Sequence, residues 1–387
     1  MKANCHQRPD GGLGVRNHVV VLPAVLCANE IARRIADAVD GAVALPHAGG
    51  CTCGEDVART ERVMAALGSH PNVAGVLVLG LGCENCDSEK VAREIAERCP
   101  WKPLERMVIQ EVGVSKVIRQ GTAVVEKMVR KASEWKRSEV GLDGLTLALE
   151  CGGSDATSGL AANPALGVAV DRLLAAGGSA MFSETTEAIG AAHLLARRAA
   201  SDEVAERIVQ TINRAQERMV PLLAPGEHFL TTGNMNGGLT TLEEKSLGCI
   251  CKTGSAQITG VVEYGEKPQQ RGLTLVDGTG FDVPSMTGMV AAGAQIVAFT
   301  TGKGSPVGYP ICPVIKITGN PHTYEKLQEI FDVDASTITL GKQDIGQVAD
   351  EIVKQVLAVA GGKETKAEAF GFRDFSIATV AGAHAGV

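Results

Sequence analysis

The chain has 387 residues, 45% of them hydrophobic, enough for two domains that each bury a core. Only 3% are aromatic while 46 are glycine, which favours cores of Val, Ile, Leu and Ala under close helix–sheet packing. A net charge of −7 leaves no basic footprint for nucleic acid, and the longest apolar runs are too short to span a bilayer.

In chain order, "NHVVVLP" (17–23) reads as a strand leading into the helical "CANEIARRIADAV". "AVALPH" (42–47) leads through "AGGCTCG" to the helix "EDVARTERVMAAL". "VAGVLVLG" (73–80) leads through "LGCENC" to "SEKVAREIAERC", and "MVIQE" (107–111) through "VGVS" to "KVIRQGTAVVEKMVRKA". The charged stretch "RKASEWKRSEVGLDG" (130–144) interrupts the alternation and marks a boundary near residue 138. Later strands are "LTLALE", "SAMFS", "GLTLVDG", "AQIVAFT" and "PVIKIT". Alternation at this spacing builds βαβ units, so the expected class is α/β with mainly parallel sheets, in two domains, 1–138 and 139–387. Ligands in such sheets sit beyond the carboxyl ends of the strands. The small, polar tail from residue 362 is expected to wrap the surface or reach a partner.

Eleven cysteines, an odd number, argue against a complete disulfide framework. They gather at glycine-rich turns: "PHAGGCTCGED" offers His47, Cys51 and Cys53, "GLGCENCD" Cys83, Glu84 and Cys86, "ECGGSD" Cys151 and Asp155, and "SLGCICKTG" Cys249 and Cys251. Thiolate and imidazole suit zinc or iron, and carboxylate adds a harder ligand. The bland alternative is thiols packed beneath turns. It is favoured for Cys53, Cys86 and Cys251, and Cys5, Cys27 and Cys99 read as small hydrophobes. Glycine neighbours imply close backbone approach at Cys51, Cys83 and Cys151. Two other stretches look suited to oxyanions. "TTGKGSPVG" (300–308) carries Lys303 and Ser305 without the Walker A spacing. "GNMNGGLTTLEEKSLG" (233–248) precedes and opens a helix bearing Glu244 and Lys245, for which a solvated face is the plain alternative. His18, His193 and His322 read as structural or surface groups.

Together, "GVRNHVVVLP", "HPNVAGVLVLGLGCE", "CGGSDATSGLAANPALG", "GNMNGGLTTLEEKSLG" and "TTGKGSPVG" resemble the altronate/galactarate dehydratase (UxaA) family, from about Gly11 onward. The resemblance implies an iron-dependent lyase acting on a hydroxylated carboxylate. It also implies a dimerising domain over 1–138 and a C-terminal Rossmann-like, metal-binding catalytic domain with a crossover over 139–387. Family members commonly carry a small β-clip (SAF) domain before the Gly-Val-Arg-Asn-His stretch, so either a separate small subunit supplies it here, which is the expectation, or the protein does something narrower.

On this reading Fe(II) is held near Cys51, Cys83 and Cys151 with His47, an iron–sulfur cluster or another divalent metal being the alternative. Lys245, Lys303, Asp155 and Glu244 are the catalytic candidates, the lysines for carboxylate binding or as base. Ser154, Ser158, Asn234, Thr240, Thr241 and Ser305 are candidates for substrate binding. The leading reaction is dehydration of a sugar acid such as altronate to a 2-keto-3-deoxy acid. The alternatives are the large subunit of a (2R)-sulfolactate sulfo-lyase, and a metal or iron–sulfur subunit that activates a partner. A cytoplasmic homodimer or higher oligomer is expected, with no nucleic-acid or membrane partner.

Overall fold

The computed structural model describes residues 1–220 and 230–379. Three sheets organise it. The N-terminal sheet has the order Ala42–Ala44, His18–Pro23, Val73–Gly80, Leu104–Val108, with every neighbouring pair parallel. Val73–Gly80 is buried along its whole length, the signature of a parallel strand covered on both faces. Helices Asn29–Asp37 and Val114–Ala132 cover one face around Val21, Ile35, Leu77 and Val125. Helices Glu55–Ser69 and Ser88–Arg98 cover the other.

The C-terminal sheet has seven parallel strands in the order Ile258–Val262, Leu273–Val276, Ser179–Phe182, Thr146–Cys151, Ile296–Thr300, Val314–Thr318, Val333–Asp334. From Thr146–Cys151 the chain first moves to Ser179–Phe182 on one side, and only later to Ile296–Thr300 on the other. The turns after Cys151 and Thr300 therefore diverge at a topological switch point, the crevice where open α/β sheets place ligands. The α/β class and the parallel sheets are as the alternation of elements predicts.

The two sheets are not separate bodies. Val63, Met64 and Leu67 of the N-terminal domain share one apolar core with Tyr264, Met286, Met289 and Phe299 of the C-terminal domain. At the seam the fully buried Asn72 accepts from the Val15 N–H (2.9 Å) and donates to the carbonyls of Gln295 (3.0 Å) and Ile311 (2.9 Å). Arg16 forks onto Glu368 at 2.6 and 2.7 Å, tying the N-terminal segment to a late helical turn.

Two elements depart from the sequence reading. "MVIQE" is not one strand: Leu104–Val108 is the strand, and Ile109–Val112 turns immediately into a short helix. The polar opening Lys2–Gln7 forms a strand, paired antiparallel with Ser138–Gly141 inside the charged stretch 130–144. Its pattern buries Ala3 and Cys5 while Lys2 and Asn4 face solvent. The tail packs Phe372, Phe375 and Ile377 against the shared core, and residues 380–387 lie outside the described residues.

Candidate metal centre and active-site cavity

Cys151 ends the strand Thr146–Cys151, and Glu184 follows the neighbouring strand Ser179–Phe182. Among the described residues, Glu184 alone outside glycine has positive φ, at 58°. A left-handed conformation in a non-glycine residue costs of order 1–2 kcal/mol. Here it turns the carboxylate back onto the end of the adjacent strand, where Oε2 accepts from the Cys151 N–H at 3.2 Å. Glu187 sits three residues on, in the turn Thr185–Ala191. The helix Leu242–Ile250, capped by the Thr241 hydroxyl, brings in Cys249.

Cys151, Glu184, Glu187 and Cys249 thus converge, each offering a ligand atom within 4.8 Å of the others, and all four are buried. Two soft thiols and two hard carboxylates suit a divalent transition ion such as Fe(II) or Zn(II), and this group could hold one. The chain supplies two cations of its own. The buried Lys252 Nζ lies 2.6 Å from Glu184 Oε2, 2.9 Å from Cys249 Sγ and 3.2 Å from Cys151 Sγ. Lys245 Nζ lies 2.7 Å from Glu187 Oε1.

These neighbours set the protonation of the site. The Cys249–Cys151 hydrogen bond, 3.6 Å between sulfurs, raises the Cys151 thiol and lowers that of Cys249. Burial raises Glu184 well above the usual carboxylate range, against the pull of Lys252. Burial opposes charge on Lys252 and Lys245, but the thiols and carboxylates around them outweigh it, so both lysines are held protonated. Behind the site, burial raises Glu150, whose Oε2 accepts from the Ser285 hydroxyl at 2.7 Å. Burial and then Glu187 push Asp282 up to about 6.

A cavity of about 270 Å³ opens beside this group and is lined by its Cys249 and by Lys245; Ser154, Asp155, Ser158 and Glu244 also line it. Several of these polar groups are already committed. Asp155 Oδ1 accepts from Thr157 Oγ1 (2.6 Å) and the Ser158 N–H (3.1 Å), and Oδ2 from Asn320 Nδ2 (2.7 Å). The carboxylate clamps the turn at the switch point, and its oxygens are occupied. It also fills the space a side chain at Gly302 would need. Directly after it, Ser158–Ala162 forms a π-helical turn, a feature often found at functional sites.

Of the expected substrate-binding groups, Ser154 and Ser158 line the cavity, whereas Asn234, Thr240, Thr241 and Ser305 do not. The amide of Asn234 holds the Ser154 carbonyl at 2.9 Å, so it supports the turn. Thr240 donates to Glu244 Oε2 at 2.9 Å, and Thr241 caps the helix through the Glu244 N–H. Lys303 is exposed on the switch-point turn, where its N–H binds the Gly153 carbonyl at 2.9 Å. Lys245 is no solvated-face residue: only 10% of its side chain is exposed.

The expected metal set is divided. Cys151 belongs to the buried group, but Cys51 and Cys83 are exposed on loops of the N-terminal sheet. His47 cannot serve as a ligand in this arrangement, because both ring nitrogens are used. Nδ1 accepts from the Gly49 N–H (3.1 Å), which leaves the Nε2 proton to donate to the Pro23 carbonyl (2.8 Å). Sequence reasoning passed over Glu184, Glu187 and Lys252, and offered Cys249 without choosing it. The available signals were a carboxylate pair at i, i+3 just after a strand, and the Cys249-x-x-Lys252 spacing.

Residues 142–382 match the family model described as D-galactarate/Altronate dehydratase, C-terminal, and residues 5–133 match D-galactarate dehydratase/Altronate hydrolase, second domain. The chain is 35% identical over 384 residues to an altronate dehydratase of Bacillus subtilis, covering 96% of this chain and 76% of that one. It is 36% identical over 374 residues to the (2R)-sulfolactate sulfo-lyase subunit beta of Chromohalobacter salexigens, covering 96% and 95%. An altronate dehydratase of Escherichia coli is 33% identical over 383 residues, 96% and 76% of the two chains. The chain therefore belongs to the altronate/galactarate dehydratase family of lyases.

Proposed function

We propose that this chain is a metal-dependent lyase that eliminates water from a sugar acid such as altronate, giving a 2-keto-3-deoxy acid. The observation that carries the reading is that Cys249 of the Cys151–Glu184–Glu187–Cys249 group lines the cavity, together with Lys245, the cation paired with Glu187 of that group. Removing a proton next to a carboxylate builds a doubly negative enediolate, which needs cations close by. Fe(II), held by Cys151, Cys249, Glu184 and Glu187, would supply Lewis acidity there. Lys245 is fixed by Glu187 and protonated, so it binds the substrate carboxylate and offers a proton to the departing hydroxide. The Ser154 and Ser158 hydroxyls face the polyol, and Asp155 holds their turn in place. Lys252 balances Glu184 and the two thiols from behind.

A second reading has a specific observation in its favour: the similarity covers 95% of a chain named as the beta subunit of a sulfolactate sulfo-lyase. The carbon–sulfur bond would then break, sulfite would leave, and a small partner subunit would complete the site. Self-association and a cytoplasmic location belong to the same proposal, the eleven free thiols fitting a reducing compartment. Among the described residues no helix is long and apolar enough to cross a membrane.

The test is to load the anaerobic chain with Fe(II), with and without a small partner subunit, and offer altronate, galactarate and sulfolactate in parallel. Keto acid from a sugar acid is the expected result. Sulfite and pyruvate from sulfolactate alone would establish the second reading, and product from none of the three would remove the lyase assignment.

A further inference from the structure

We propose that Cys27, Cys51 and Cys83 form a second metal site, on the N-terminal sheet, which holds a [4Fe–4S] cluster through three of its irons and leaves the fourth open. The three strands His18–Pro23, Ala42–Ala44 and Val73–Gly80 are parallel neighbours, so the loops leaving their carboxyl ends emerge on the same edge. Each loop carries one of the three thiols.

The loops are tied to one another. The Leu26 N–H donates to the Gly49 carbonyl at 3.0 Å, and the Asn85 and Cys86 N–H groups both donate to Gly50 at 3.0 Å. Asn85 Nδ2 reaches the Thr52 carbonyl at 3.0 Å. Gly50, at φ 110°, lies so close to Ala24 and Val25 that no side chain fits there. After burial, the neighbours that most raise the Cys51 thiol are Cys27, Cys83 and Glu84, so the three sulfurs stand in one electrostatic group.

The surroundings favour a cluster over a single ion. Cysteine is ordinarily among the most buried residues, yet all three thiols here are exposed and free. A lone tetrahedral zinc draws thiolates to about 3.8 Å apart, given zinc–sulfur bonds near 2.3 Å. Among the described residues, the donor group that closes within 4.8 Å is the one around Cys151, so these thiols are spread more widely. A cubane binds its cysteine ligands through separate irons, so it accepts thiols spaced more widely than one ion can gather. The nearby Glu84 carboxylate is withheld as a fourth ligand, because it is occupied by the N–H groups of Leu81 (2.9 Å), Gly82 (2.6 Å) and Cys83 (3.0 Å). That hold fixes the Cys83 loop. Gln110 Nε2 lies 3.4 Å from Cys83 Sγ, an N–H···S contact of the kind that tunes cluster potentials. Docking a preassembled thiolate-capped cluster is a ligand exchange: three iron–thiolate bonds to the synthetic complex break as three iron–cysteine bonds form, each cysteine proton leaves with a departing thiol, and no oxidant is needed.

The experiment treats the full chain anaerobically with a preassembled synthetic [4Fe–4S] thiolate complex, followed by desalting. The expected yield is about four irons and four acid-labile sulfides per chain with visible charge-transfer absorption. The variant Cys27→Ser/Cys51→Ser/Cys83→Ser is expected to lose the sulfide and the absorption while keeping its thermal midpoint, since all three positions are exposed. Cys151→Ser keeps both signals. No retained sulfide in the parent chain, or sulfide retained in the triple variant, overturns the proposal. Loss of keto-acid formation in Cys151→Ser with its sulfide intact concerns the catalytic reading alone, so the two fail separately.

Discussion

Lys252→Met probes how the buried centre balances its charge. Lys252 lies 2.6 Å from Glu184 with the two side chains 1% and 0% exposed. Removing one partner of a buried ion pair leaves an uncompensated charge, a loss of about 3–5 kcal/mol. Glu184 can recover part of this by taking up a proton, since burial already raises it. With a urea slope of about 3 kcal/mol/M, the loss lowers the unfolding midpoint by roughly 1–1.7 M. A divalent ion on Cys151, Glu184, Glu187 and Cys249 neutralises the same carboxylates, so in Fe(II)-loaded protein the penalty should shrink to a fraction of that. The assay is urea denaturation of parent and variant, each chelated and Fe(II)-loaded. Equal destabilisation with and without iron, or none in either, would refute the view that Lys252 and the metal balance the same charges.

Asn72→Leu removes three buried hydrogen bonds at the domain seam and leaves the Val15 N–H and the Gln295 and Ile311 carbonyls without that partner. A loss of about 3 kcal/mol or more is expected in denaturant melts, accompanied by proteolysis at the seam before global unfolding. His70 is buried with a pKa lowered to about 3, burial being the first cause, and it hydrogen-bonds the Ala294 carbonyl at 3.0 Å. Between pH 3 and 6.5 the unfolded chain binds the proton that folded His70 refuses, so stability falls as pH drops below 6.5. By pH 5 this one group costs about 2 kcal/mol, and His70→Gln should flatten that part of a stability–pH profile.

Much of the scaffold was legible because parallel strands buried on both faces leave plain apolar runs; Val73–Gly80 is an example. Lys2–Gln7 escaped because its alternation is carried by small and polar residues, with only Ala3 and Cys5 marking the buried side. The centre was half legible. Cys151 follows an apolar strand and precedes a glycine pair, a local signal. Its partners lie 33, 36 and 98 residues away, and only the order of strands in the sheet and the left-handed turn at Glu184 bring them together. "SETTEAIG" reads locally as the polar start of a helix. Cys51 and Cys83 also follow apolar strands and sit beside glycines, and that likeness grouped them with Cys151 although the boundary near residue 138 already put them on another sheet.

The central claim is that the metal sits among Cys151, Cys249, Glu184 and Glu187. Anomalous diffraction at the iron edge, on crystals of the full chain grown with Fe(II) under anaerobic conditions, tests it most directly. The expected result is a peak within bonding distance of both sulfurs and both carboxylates. Iron absent from that position in a chain that still turns over substrate would contradict it.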